Sequence, residues 1–160
     1  KTVYVDGIAA SIASVIALAG DRVVIPQNAY FMIHKPWIGL CGSYNSDKLI
    51  KAAEDLDRIE EGILNVYQDN LKEEIDIEEI KEKLSEETWF TGKEASNYFN
   101  FEVDEKKEVA ACVSDYFDKY NKVPHALKNK IDKTSNKKEN NNKKRVQLKL
   151  NLLKLGGLND

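Results

Sequence analysis

The first third of the chain is a succession of short apolar runs separated by turn residues. Thr2-Val3-Tyr4-Val5 is β-branched and aromatic, which predicts a buried strand, and Asp6-Gly7 breaks it. Residues 9–19 are small and apolar on every side, the pattern of a helix buried in a core rather than lying on a surface. Gly20 stands where a left-handed helix terminator belongs. Two more strands are predicted, at 22–25 before Pro26 and at 29–34 before Pro36. The glycine-containing stretch 38–46 predicts a loop.

Beyond residue 46 the period lengthens. Leu49, Ala52, Ala53, Leu56, Ile59, Ile63, Val66, Tyr67 and Leu71 recur at a spacing near 3.6, which predicts a long helix over 46–71 with one apolar stripe. Its opposite face carries Glu54, Asp57, Arg58 and Glu61. A short helix is predicted at 77–84. Thr91-Gly92-Lys93-Glu94 has the form of a capping box and opens a helix through Tyr98. Phe101-Glu102-Val103 predicts a closing strand. Strands alternating with helices imply an α/β domain, and no internal repeat is visible.

Composition bounds the class. The chain has 160 residues, 42% of them hydrophobic and 32% charged, which suits one globular domain. The apolar run 8–20 is shorter than the ~20 residues a bilayer-crossing helix needs, so no membrane partner is expected. Two cysteines, Cys41 and Cys112, are too few for a disulfide scaffold and fit a reducing, cytoplasmic setting. The chain starts at Lys1 in a strand-like run, and we expect an N-terminally truncated fragment.

The formal charge of −3 hides a split. Residues 1–127 hold 14 Lys and Arg against 24 Asp and Glu, whereas residues 128–160 hold 10 against 3. Two regions follow: a folded domain over 1–127 and a basic Lys/Asn-rich tail over 128–160, with a short Leu/Lys segment at 146–155. The tail has too few apolar residues to offset its ordering entropy and is expected to be disordered. Its charge suits a solvated linker or an anionic partner. It lacks aromatic residues for base stacking.

Asp6-Gly7-Ile8-Ala9-Ala10-Ser11 carries the chemistry. A strand ends, the backbone turns on a glycine, and a serine appears at a helix's first turn among small residues. Free amides at that turn could hold an oxyanion, with the Ile12 N–H the nearest. His34 follows Ser11 by 23 residues, enough for a helix, a turn and a strand to return it to the same edge. It could then take and return the serine proton. Packed or helix-capping roles for the serine, and a structural role for the histidine, fit the same residues. His125 is expected to be exposed, Ser14 to face the helix core, and Cys41 to be a free loop thiol. The two histidines and two cysteines lack metal-ligand spacing. No phosphate loop or dinucleotide fingerprint occurs, so no cofactor is expected.

Gly7-Ile8-Ala9-Ala10-Ser11, Ala19-Gly20-Asp21-Arg22, Ile25-Pro26-Gln27-Asn28-Ala29 and Met32-Ile33-His34-Lys35-Pro36-Trp37 follow one another in order. Over about residues 2–104 the chain thereby resembles the ClpP-like serine peptidases. His34-Lys35-Pro36-Trp37, Glu87-Thr88-Trp89-Phe90-Thr91 and Glu94-Ala95 resemble the phage and prophage branch, taken to be head maturation proteases. The resemblance implies a ClpP/crotonase-like α/β fold of repeated strand–helix units, with the long helix as an interaction handle. It implies Ser11 as nucleophile, His34 as general base and Ile12 N–H as an oxyanion donor. It implies a homo-oligomer, possible as a ring, acting on a capsid or scaffold precursor in the host cytoplasm or virion.

Three departures from the family pattern stand out. The family's triad carboxylate aligns with Thr88, so the third member is either absent, leaving a Ser–His dyad, or supplied by Glu87; Glu86 is adjacent. The glycine-rich loop that supplies a second oxyanion donor would lie upstream of Lys1. A glycine after the capping helix is replaced in Tyr98-Phe99-Asn100, where Asn100 could take the left-handed conformation. Two other functions remain open: a catalytically weak assembly or scaffolding protein, and a degradation core fed by an ATPase.

Overall fold

The computed structural model describes residues 1–107, 117 and 119–127. The basic tail expected over 128–160, its Leu/Lys segment and Cys112 lie outside these residues. The elements run β1 (Thr2–Tyr4), β2 (Ile8–Ala10), α1 (Ile12–Ala17), β3 (Arg22–Pro26), β4 (Tyr30–Ile33), α2 (Ser46–Gln68), α3 (Ile77–Ser85), β5 (Thr88–Thr91), α4 (Gly92–Ala95) and β6 (Phe101–Asp104).

They form two three-stranded sheets. One has the order β1-β3-β6 and is parallel throughout. The other has the order β2-β4-β5, with β2 parallel to β4 and β5 antiparallel to it. The chain alternates between sheets: β1 then β2, β3 then β4. This is the α/β architecture of repeated strand and helix units that the sequence implies.

The core draws on both sheets and on all four helices. Ile25, Phe31, Ile33, Tyr67, Ile80, Leu84, Ala95 and Phe99 are buried in one contiguous cluster. Each large apolar side chain there contributes roughly 1.5–3 kcal/mol by leaving water. Phe31, Phe99 and Phe101 pack ring to ring at centroid distances of 5.1–5.4 Å.

Several expectations need correction. Residues 8–10 belong to strand β2, and the helix begins only at Ile12. Alanine suits both states, and pairing with β4 decides it. Nor is α1 buried on all sides: Ile12 is 63% and Ile16 64% exposed. Gly20 does not terminate the helix in a left-handed conformation, because α1 ends at Leu18 in the right-handed region. Its glycine answers to packing instead, since a Cβ there would lie 2.7 Å from Val3 Cγ2. Asn100 is not left-handed either; its side chain donates to the Leu71 carbonyl at 3.0 Å.

The remaining elements shift at their ends or appear unpredicted. The long helix stops at Gln68 and is capped by Asn45, whose side chain accepts from the Lys48 amide at 3.2 Å. The capping box at Thr91 and Glu94 forms as expected, yet α4 ends at Ala95. β5 is an additional strand, inside a stretch read only as a motif.

Candidate active site

Ser11 sits where β2 hands over to α1. β2 and β4 run parallel with Ala10 opposite Met32, and the Ser11 N–H donates to the Met32 carbonyl at 3.0 Å. Adjacent strands lie about 4.8 Å apart, so the residues following both strands emerge side by side. This register, rather than sequence proximity, carries His34 to Ser11 across 23 residues. His34 Nε2 lies 2.8 Å from Ser11 Oγ.

The serine side chain does not cap the helix. The residue occupies the N-cap position of α1 without any side-chain capping bond, and its hydroxyl meets the histidine instead. Its backbone has φ 59° and ψ −130°. That left-handed region is costly for any residue with a Cβ, and such strain clusters at functional sites. The turn swings the hydroxyl off the strand, while Ile12, first residue of α1, has an amide without an intrahelical acceptor.

His34 follows the last residue of β4. The next amide, Lys35 N–H, donates to the Leu84 carbonyl at 3.1 Å and ties this strand end to α3. Tyr120 packs edge-on to the imidazole at 5.5 Å. The ring is half-buried, and desolvation holds its pKa below the ordinary 6.5, against the opposing pull of the Lys35 backbone and the Glu87 charge. His34 is therefore neutral at pH 7 and able to accept a proton.

Glu87 stands close enough for its charge to act on His34, but its carboxylate is engaged elsewhere. One oxygen accepts from the Lys122 amide at 2.8 Å and from Trp89 Nε1 at 3.4 Å. The other accepts from the Asn121 amide at 3.0 Å and its side chain at 3.2 Å. Burial pushes the Glu87 pKa up, yet these donors outweigh it and hold the group below the ordinary carboxylate range. Glu87 has φ 53°, which sets this orientation between α3 and β5. Thr88 is turned the other way, its hydroxyl donating to the Lys83 carbonyl at 2.8 Å. Glu86 is the exposed C-cap of α3.

A cleft of about 680 Å³ opens beside the pair. Ser11 and His34 line it with Ile12, Val15, Trp37, Leu56, Ile59 and Ile63, and Tyr67 and Tyr120 complete the wall. The walls are mostly apolar, which suits a large hydrophobic side chain held next to the Ser11 hydroxyl. Among the described residues, no group of three His, Cys, Asp or Glu is placed to hold a metal ion.

The structure brings Ser11, Ile12 and His34 together and places Glu87 at their margin. His125 and Cys41 are exposed, and neither lines this cleft. Ser14 is fully buried, as expected of a core-facing residue. Sequence reasoning passed over Tyr67, Tyr120 and Asn121. A hydroxyl on the apolar stripe of α2 was a usable signal for Tyr67, because a buried phenol needs a partner. Nothing in the local pattern marked the other two.

The family model described as Clp protease matches residues 1–99, which include Ser11, His34 and Glu87. No curated protein matches the chain.

Proposed function

The chain belongs to the Clp protease family, a family of serine-type peptidases, and from this we propose that it is a serine endopeptidase acting through an acyl-enzyme on Ser11. The observation that carries this reading is the 2.8 Å contact between Ser11 Oγ and His34 Nε2 at the mouth of an apolar cleft.

In the first step Ser11 Oγ attacks the carbonyl carbon of the scissile peptide, and its proton passes to His34 Nε2. The carbonyl oxygen becomes an oxyanion, which the Ile12 N–H stabilises; one such donor is worth about 10²–10³ in rate. The intermediate collapses as His34 returns the proton to the leaving amine, and an ester on Ser11 remains. Water then gives a proton to His34 and attacks the ester. Proton return to Ser11 Oγ releases the carboxylic acid.

Glu87 is the acidic residue that supports the imidazolium. Its charge favours protonated His34, although its oxygens rest on Asn121 and Lys122. It acts through space rather than as a direct hydrogen-bonding partner. The motifs His34-Lys35-Pro36-Trp37 and Glu87-Thr88-Trp89 support a phage capsid or scaffold precursor as substrate, processed during head maturation by an oligomer of this chain.

The test is steady-state hydrolysis of a peptide with a large apolar residue before the scissile bond. His34→Ala should lower kcat on the order of 10⁴-fold or more with the fold intact by circular dichroism. A rate within tenfold of the parent would mean that another group is the base.

A further inference from the structure

Tyr67 is a buried phenol that the chemistry above does not use. It lies on α2, 1% exposed, with its hydroxyl 2.7 Å from Ser14 Oγ. Ser14 Oγ in turn lies 2.6 Å from the Ser11 carbonyl oxygen. A carbonyl oxygen only accepts, so the single proton of Ser14 goes to Ser11. Tyr67 must then donate to Ser14. Burial pushes the phenol pKa up to about 12, which keeps that proton in place. The donors run in one direction, from α2 to the peptide unit joining Ser11 to Ile12.

That unit is trans and planar, so its carbonyl and its amide point opposite ways. Holding the Ser11 carbonyl toward the buried Ser14–Tyr67 pair directs the Ile12 N–H away from it. The Ser14 amide adds a second bond to the same carbonyl at 2.9 Å. Ser11 itself occupies a sparsely populated backbone region, which persists only where the surroundings over-determine it.

We propose that Ser14 and Tyr67 are positioning residues that fix the Ser11–Ile12 peptide plane in the orientation from which the Ile12 amide meets the oxyanion. The inference rests on the assignment of Ser11 as nucleophile. It also gives α2 a direct mechanical line to the catalytic backbone, because the tyrosine belongs to that helix.

Tyr67→Phe keeps the ring that packs edge-on against Phe99 at 5.8 Å and removes only the hydroxyl. Ser14→Ala removes the relay atom. Both variants and the double variant are compared with the parent for peptide hydrolysis and for affinity toward a peptide aldehyde, which forms a tetrahedral adduct on the nucleophile. Tyr67→Phe should lower kcat about tenfold with KM within twofold, and weaken the aldehyde by the same factor. Ser14→Ala should lower kcat by about 10–100-fold, at most the lower limit of losing a whole oxyanion donor. The double variant should be no worse than Ser14→Ala, because Tyr67 acts through Ser14. A packing role alone would lower thermal stability while kcat of the folded protein stayed at the parental value. Parental kcat and aldehyde affinity in the single variants, or multiplicative losses in the double, would overturn the inference alone. Failure of the parent to form the adduct on Ser11 would overturn the nucleophile assignment as well.

Discussion

Ser11 holds a backbone conformation that costs a residue with a Cβ about 1–3 kcal/mol. The bonds around it offset that cost: its own amide on Met32, and its carbonyl on Ser14. The strained residue carries the hydroxyl that meets the imidazole, which puts strain and chemistry in one place. His34 supplies the pH dependence. In the proposed mechanism its neutral form is the base, and burial depresses its pKa below 6.5. Acylation measured against pH should therefore fall on the acid side, with a midpoint below 6.5, as His34 gains a proton. Glu87→Gln removes a negative charge that favours the imidazolium, so it should move the acid limb to still lower pH. A limb centred above 6.5 in the parent would contradict this electrostatic account. The meeting of Ser11 with His34 was legible in the sequence because Ser11 follows a glycine turn among small residues and 23 residues allow a strand to bring His34 back to the same edge. The environment of Glu87 was not, since its partners Asn121 and Lys122 lie more than thirty positions downstream with no motif linking them.

Among the elements, long-range pairing accounts for what the periodicity left undecided. The run 9–19 reads as one helix because alanine carries no preference strong enough to divide it. The ladder of β2 on β4 divides it at Ser11, and that division creates the turn that presents the Ser11 hydroxyl to His34. β5 escaped notice for a similar reason: four residues give too short a pattern, and the strand exists by pairing antiparallel with β4. The long helix, with its sustained period and its Asn45 cap, was legible almost to its ends. α4 shows how tightly such units are docked. A Cβ on Gly92 would lie 2.1 Å from the Pro26 carbonyl oxygen and 3.0 Å from Ile25 Cγ1. Backbone of β3 cannot yield there without disturbing its pairing with β6. Gly92→Ala should accordingly cost about 1–3 kcal/mol or more, read as a lower urea midpoint at unchanged slope. An unchanged midpoint would show that α4 is free to shift.

For the molecule as a whole, the apolar surface is distributed unevenly. Ile12 and Ile16 on α1, Trp37 and Ile38 beyond β4, and Leu49, Ile50 and Ile59 on α2 are all exposed. A surface of this kind is costly in water and suits the oligomeric assembly proposed above. Among the described residues no helix is long and apolar enough to cross a membrane. Strands β2 and β4, helix α1 and the apolar stripe of α2 thus meet around one hydroxyl. The decisive measurement is the intact mass of the protein after treatment with a fluorophosphonate, followed by mapping of the adduct. The account predicts one adduct per chain, on the peptide containing Ser11, and none after Ser11→Ala. An unmodified parent protein, or a label that persists in that variant, would contradict it.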